Sequence, residues 1–306
     1  MKKREASLKN MHRVKVWEII NIVLLSLFAF VCLYPFWNMY VAALNEGTDA
    51  AKGGLYFWPR KFTFENIYMA FVRPGIVQAL FVSFAKTITG TVTTLFCTSS
   101  LAYVMTKRQM PGTRFLSNFL FLTFIIPGSF IATYLLMNEL GLTDTFWIFI
   151  IPGLYGYWNM IIFRAQFTST IHPEIEESAR MDGASYIKIY FLLIIPLAKP
   201  VFAALGLFAA VGHWNDWTTG FFYMRGNRAL VPLPTLLQEM INEMNLRQNA
   251  MRLSGGIMAD DPVWRRITPS SVRLAVTVIS VTPIIMVYPF LQKHFVKGIM
   301  VGSVKA

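Results

Sequence analysis

The stretch EESARMDGASYIKIYFLLIIP, residues 176–196, is a short soluble island between two apolar runs. Its local signals describe two short helices. Pro173 suits a first helical position, and Glu174, Glu176 and Glu177 load the first turn with negative charge, favourable at the positive end of a helix dipole. Asp182-Gly183 breaks that helix. Ser185 can cap a second, amphipathic one with Ile187, Tyr190 and Phe191 on one face, before Pro196 opens the next apolar run. A polar helix–turn–helix embedded in so greasy a chain is built to be held by something outside the lipid.

The rest of the sequence supplies that lipid context. Of 306 residues, 55% are hydrophobic and 14% charged, with a mean hydropathy of +0.48. Soluble domains carry about a quarter charged residues, so lipid is the better solvent. Cys32 and Cys97 lie inside apolar runs and read as small hydrophobes. The four histidines, His12, His172, His213 and His294, are scattered, so no metal site is expected. The net charge of +12 does not point to nucleic acid, because the basic residues form no reading motif and many flank hydrophobic runs.

A membrane span needs about 20 mostly apolar residues. Six segments qualify: Val16–Leu44, Ile76–Met105, Phe115–Met137, Thr145–Phe167, Ile194–Trp217 and Val272–Phe295. The expected fold is therefore an all-α membrane protein of six transmembrane helices, over residues 16–295. Pro35, Pro127, Pro152, Pro283 and Pro289 fall inside spans, as lipid-buried bundles permit. The basic head MKKREASLKNMHRVK, residues 1–15, precedes an apolar run nearly twice as long as a signal-peptide core, without a small-x-small cleavage site. It reads as a cytoplasmic N-terminus before a retained first helix. Basic residues then fall in excess on the N-terminal side of the membrane (Lys107, Arg108 and Arg114; Arg164, Arg180, Lys188 and Lys199; Lys293, Lys297 and Lys305), which places both termini in the cytoplasm. The island lies in an inner loop, 168–193. A long outer loop covers 218–270, and residues 296–306 form a cytoplasmic tail.

In this setting the island resembles the EAA motif of permease subunits of binding-protein-dependent ABC importers: Glu-Ala-Ala, three residues, Gly, nine residues, Ile-x-Leu-Pro. Glu177, Ala179, Gly183 and Pro196 fall in register. Ser178 occupies a small-residue position, and Leu193 and Ile195 replace Ile and Leu. The resemblance extends over nearly the whole chain to the maltose-type carbohydrate permeases. ENIYMAF (residues 65–71), NELGLTDT (138–145), WNDW (214–217) and the tail FLQKHFVKGIMVGSVKA (290–306) are all similar, the tail to the smaller subunit of such importers. The resemblance implies a type I ABC importer permease fold in a bacterial cytoplasmic membrane, with coupling helices. It implies partnership with a second homologous permease in a heterodimer, with two ATPase subunits and with an extracytoplasmic solute-binding protein. It also implies an oligosaccharide substrate, complex or acidic glycans being compatible. The ATPase-coupling residues would be Glu176, Glu177, Ala179, Asp182, Gly183 and Pro196. A second ATPase contact would be made by the tail through Gly298, Gly302 and Lys305.

The chain carries no Gly-x-x-x-x-Gly-Lys-Ser/Thr loop; GIMVGSVK, residues 298–305, has the wrong spacing. No cofactor is expected on this chain, ATP being used by the partner ATPase, and no catalytic constellation makes it an enzyme by itself. The substrate path is less determined. Lys86 sits about ten residues into the second span, where an unpaired lysine costs roughly 2.5–3.5 kcal/mol. It is either paired or a pore-facing contact for a polar solute. Tyr155, Trp158, Trp214 and Trp217 offer faces for pyranose rings, or packing and interface anchoring, and Asn215 and Asp216 add polar groups at an outer gate. Thr235 can cap a helix carrying Leu236, Met240 and Met244, suited to docking the external binding protein. Arginines outnumber acids in that loop, a hint of an acidic substrate or partner. The alternatives are a permease for another small solute, such as glycerol phosphate or a polyol, and a secondary transporter, for which only Lys86 speaks.

Overall fold

The computed structural model describes residues 2–107, 110–126, 128–170, 173–253 and 268–303. Among them there is no strand, only an isolated bridge between Asn45 and Phe62. The helices are α1 (Lys2–Ala43), α2 (Gly47–Ala50), α3 (Glu65–Val72), α4 (Ile76–Thr106), α5 (Thr113–Ile125), α6 (Phe130–Glu139) and α7 (Tyr157–Thr170). They continue with α8 (Pro173–Met181), α9 (Tyr186–Ile189), α10 (Ile195–Leu197), α11 (Lys199–Asn215), α12 (Thr218–Tyr223), α13 (Leu233–Leu253) and α14 (Pro269–Ser303). Among the described residues, three helices are long and apolar enough to cross a membrane: Val16–Ala43 within α1, α4, and Ser270–Val287 within α14.

The other three expected spans are broken rather than continuous. Phe115–Met137 divides into α5 and α6 around Gly128; Pro127 lies outside the described residues. Thr145–Phe167 starts as two 3-10 turns, Phe146–Phe149 and Ile151–Gly153, and bends by 51° into α7. Pro152 lacks the N–H that an α-helix would need there. The fifth span starts earlier than Ile194. α9 runs on through a π turn at Tyr190–Ile194 into α10, and the axis bends by 83° into α11. Pro196 and Pro200 remove two donors on either side of the bend at Ala198, and the π turn relieves the clash that the Pro196 ring would make with the preceding turn. At the chain's ends, helix extends beyond the expected spans: α1 runs back to Lys2, and α14 runs on through the expected tail to Ser303.

The chain forms two compact units, Met1–Val72 with Ala250–Ile279, and Arg73–Asn249 with Ser280–Ala306. In the first, the C-terminal end of α1 is closed by residues 44–72. Buried Asn66 donates to the carbonyls of Ala43 (2.9 Å) and Asn45 (2.7 Å). The Asp49 carboxylate accepts from Asn45 (3.0 Å) and from Arg60 Nε (2.9 Å), and these two hydrogen bonds, the one from Asn45 foremost, hold it below the usual carboxylate range.

In the second unit, α4 packs against α7 and α11. Its apolar residues face outward or into this packing, whereas its small polar residues meet backbone groups that the broken spans leave open. Thr94 Oγ1 donates to Gly153 O (2.7 Å); Thr98 Oγ1 donates to Leu154 O (3.5 Å) and accepts from Gly156 N (3.4 Å). Where water is absent such groups must be satisfied within the protein, so the fourth span can break there because α4 supplies the missing partners. Gly90 gives α11 its closest approach, since a Cβ there would stand 2.7 Å from the His213 ring, whose Nε2 lies 3.3 Å from Thr94 Oγ1. Gly90→Val should lower the thermal midpoint of the detergent-solubilised protein, an overpacking cost of about 1–3 kcal/mol, and His213→Ala in the same chain should recover part of the loss.

Candidate functional site

The island of residues 176–196 folds as its sequence suggests. α8 carries Glu174 and Glu176 in its first turn and Arg180 in its last. It ends where Gly183 adopts φ +78°, a left-handed conformation that favours glycine, with Ala184 N bonding back to Ala179 O at 3.0 Å. Ser185 then caps α9, its hydroxyl accepting from Lys188 N at 3.3 Å. Ala179 packs on an apolar cluster that includes Tyr103, Phe163, Phe167, Ile189, Tyr190 and Ile194, where a larger side chain would push α8 away.

The two adjacent glutamates separate. Glu176 turns inward to the end of α4, where Tyr103 Oη donates to it at 3.0 Å and Lys107 Nζ forms an ion pair with it. Lys107 also lies over the Tyr103 ring, 4.3 Å from its centroid. Glu176 is thus held by this chain's own α4, although the sequence placed both carboxylates together as outward contacts. Glu177, Asp182 and Gly183 are exposed. A second tie lies one turn further along: Tyr190 Oη and Ser99 Oγ are 2.7 Å apart and buried. A cavity of about 1000 Å³, lined in part by Phe96, Tyr103, Phe167, Glu176, Glu177 and Tyr190, opens between these elements. Pro196 is exposed. On the tail, Gly298 and Gly302 lie within α14, and Lys305 is outside the described residues.

The residues expected along the substrate path do not form one cluster. Lys86 is fully buried. Its ammonium donates to the Asp216 carbonyl (2.6 Å), lies 3.4 Å from Asp216 Oδ2 and sits 4.8 Å from the Phe149 ring centroid. Asp216 in turn caps α12, its Oδ1 accepting from Thr218 Oγ1 (2.8 Å) and Thr219 N (3.1 Å). Of the two readings open for Lys86, this geometry is the paired one. Trp214 is buried, donating its indole N–H to Ser280 O (2.9 Å) and packing edge-on against Phe84. Asn215 and Trp217 at the same corner are exposed. Tyr155 packs on the cluster beside α8 and α9, and Trp158 is exposed on α7. Thr235 does not cap its helix: α13 begins two residues earlier, and the Thr235 hydroxyl donates to Trp217 O (2.9 Å).

Sequence reasoning missed Tyr103 and Ser99, read Tyr190 only as part of an apolar helix face, and read Lys107 only as a topology marker. The available signal was a tyrosine and a basic residue one helical turn apart at the end of a span, in a chain with an acidic loop at 174–177.

Apolar helices long enough to span, others broken, and a polar helix pair fastened to the end of α4 are the parts expected of a membrane subunit of a transport system. The chain belongs to the family described as binding-protein-dependent transport system inner membrane component, which matches residues 99–301. It is a multi-pass permease subunit of a binding-protein-dependent importer. It is 34% identical to Protein LplC of Bacillus subtilis (strain 168), over 98% of this chain and 99% of that protein. It is 30% identical to the polygalacturonan/rhamnogalacturonan transport system permease protein YtcP of the same organism, over 95% of this chain and 99% of that protein. Among solved structures it resembles a chain of a bacterial ABC transporter involved in the import of the acidic polysaccharide alginate, with a TM-score of 0.80 and 28% identity over 92% of this chain and 97% of that one.

The Lys86–Asp216 pair gives an asymmetric prediction. Asp216→Ala leaves a buried ammonium with only a backbone carbonyl and should destabilise the detergent-solubilised protein by an amount at the lower end of about 3–5 kcal/mol. Lys86→Met leaves a carboxylate that still caps α12 and should cost less; thermal denaturation of the two variants compares them directly.

Proposed function

We propose that this chain forms half of the translocation pathway for an oligosaccharide and transmits ATP hydrolysis from a separate ATPase through α8 and α9. Two ATPase subunits lie on the cytoplasmic side, a second, homologous permease completes the pathway as a heterodimer, and an extracytoplasmic solute-binding protein delivers the substrate. Both termini are cytoplasmic. The chain itself binds no nucleotide and catalyses no reaction.

The observation that carries this reading is the division of labour between neighbouring glutamates. Glu176 fastens α8 to α4 through Lys107 and Tyr103, so a push on α8 is delivered to a membrane-spanning helix and not dissipated in a loop. Glu177 remains exposed on the same short helix, free to meet an arginine or backbone donors of an ATPase. Asp182 and Gly183 form the exposed turn beside it, Ala179 the close contact behind it, and Pro196 the hinge above. Gly298, Gly302 and Lys305 of the tail supply the second ATPase contact. For the substrate, the similarity to the permease of a polygalacturonan/rhamnogalacturonan system and to a chain of an alginate importer supports an oligosaccharide, acidic glycans included. The exposed Asn215 and Trp217 at the outer corner, with Trp158 on α7, are the side chains placed to meet it.

Mild-detergent affinity purification tests the coupling. The chain should bring down a nucleotide-binding ATPase and a second EAA-bearing permease. Glu177→Lys should lose the ATPase while retaining the permease. Glu176→Gln should retain both at low temperature but lower the thermal midpoint. If Glu177→Lys still recovers the full complex and supports uptake, the exposed carboxylate is not the contact.

A further inference from the structure

The outer end of α1 bears an arrangement that the coupling and substrate roles do not use. From Val16 to Leu33 every residue of α1 is exposed, and Trp37 is still exposed; from Asn38 onward the helix is half-buried or buried by its own cap. The span of 28 residues is about 42 Å long at 1.5 Å per residue, against a hydrocarbon core of about 30 Å. Its outer turns therefore reach the headgroup region, and the change from bare helix to covered helix at Trp37–Asn38 falls there.

The cap does not simply rise away from this level. Residues 55–58, Leu-Tyr-Phe-Trp, fold back along α1. Asn38 Nδ2 donates to Leu55 O at 2.7 Å, and Trp37 Nε1 donates to Phe57 O at 2.9 Å. Phe57 packs edge-on against Tyr34 with ring centroids 5.7 Å apart, and Trp58 against Trp37 at 5.9 Å. The segment thus reaches back two to three turns from the end of the helix, yet Trp58 is 74% exposed, Tyr56 64% and Phe57 51%. Two features fit a dip toward lipid. Its non-helical carbonyls are taken up by side chains of α1, as a segment leaving bulk water requires. Its exposed rings continue the lipid-facing surface of a span at the depth where tryptophan and tyrosine concentrate in membrane proteins. The charges that follow are held above it by the cap itself, Arg60 on Asp49 and Lys61 on Glu46.

We infer that Leu55–Trp58 is a membrane-interface anchor: with Tyr34 and Trp37 it inserts Tyr56, Phe57 and Trp58 among the headgroups of the outer leaflet and contacts phospholipid, not another protein. The anchor fixes the depth of the first span and the seat of its cap. The choice of leaflet rests on the orientation proposed above.

Photo-crosslinking in the assembled importer tests this. A p-benzoylphenylalanine residue replaces Trp58, Phe57 or, as a control, Lys52, in membranes containing an alkyne-tagged phospholipid. Lipid adducts at positions 57 and 58 should exceed those at 52 several-fold, with no protein adduct. A band corresponding to the binding protein or the second permease at 57 and 58, or a lipid yield no higher than at 52, overturns the inference. Orientation is read separately from Lys52→Cys in a chain carrying Cys32→Ser and Cys97→Ser. Labelling by an impermeant maleimide from outside supports the outer leaflet; labelling only from inside refutes the orientation and, with it, the leaflet.

Discussion

In a lipid bilayer a polar group has no solvent to fall back on, and α4 is the element that answers this constraint for the second unit. Going from its N-terminus to its C-terminus, Ser83 accepts from Leu233 N, Lys86 holds Asp216, Thr94 and Thr98 take the open backbone groups of the broken fourth span, Ser99 meets Tyr190, and Tyr103 with Lys107 hold Glu176. The partners belong to four different segments. One unbroken helix of 31 residues thereby fastens the start of α13, the WNDW corner, the fourth-span break and the helix pair at its C-terminal end.

This column also explains why the spans on either side can be irregular. A helix interrupted in hydrocarbon leaves donors and acceptors that each cost about 1–3 kcal/mol if unmet. The break at Gly153–Gly156 is affordable only because threonines stand opposite it. The bend between α10 and α11 depends instead on prolines, which have no donor to leave open. Irregularity in a transporter is useful because a bent or broken span can change angle without unravelling. At the fourth-span break and at the bend between α10 and α11 its backbone groups are accounted for.

Much of this was legible in the sequence and some was not. The helix–turn–helix of the island was readable because its signals are local: Pro173, three glutamates, Asp182-Gly183 and Ser185 act within a few residues of one another. The spans were readable as apolar runs, but their interruptions were not. Hydropathy does not distinguish a continuous helix from 3-10 turns around Pro152, nor reveal that Pro196 and Pro200 act together. The partner of Lys86 was hidden by a sequence separation of 130 residues, and that of Glu176 by 73 and 69. Thr235 illustrates the opposite error, in which a good local capping signal yields to a tertiary acceptor, Trp217 O. The division between Glu176 and Glu177 follows from helical geometry, because residues one apart point about 100° away from each other. It becomes visible only once the position of α4 is known.

The distance along the chain between Lys86 and Asp216 carries a consequence for biosynthesis. A nascent chain delivers its second span to the membrane long before the fifth has been translated. During that interval the lysine has no carboxylate, and its helix is held in the bilayer at a disadvantage of roughly 2.5–3.5 kcal/mol. Only when residue 216 arrives does the second span acquire its lasting place. The ion pair thus offsets, late in translation, a cost that the second span carries from the moment it enters the bilayer.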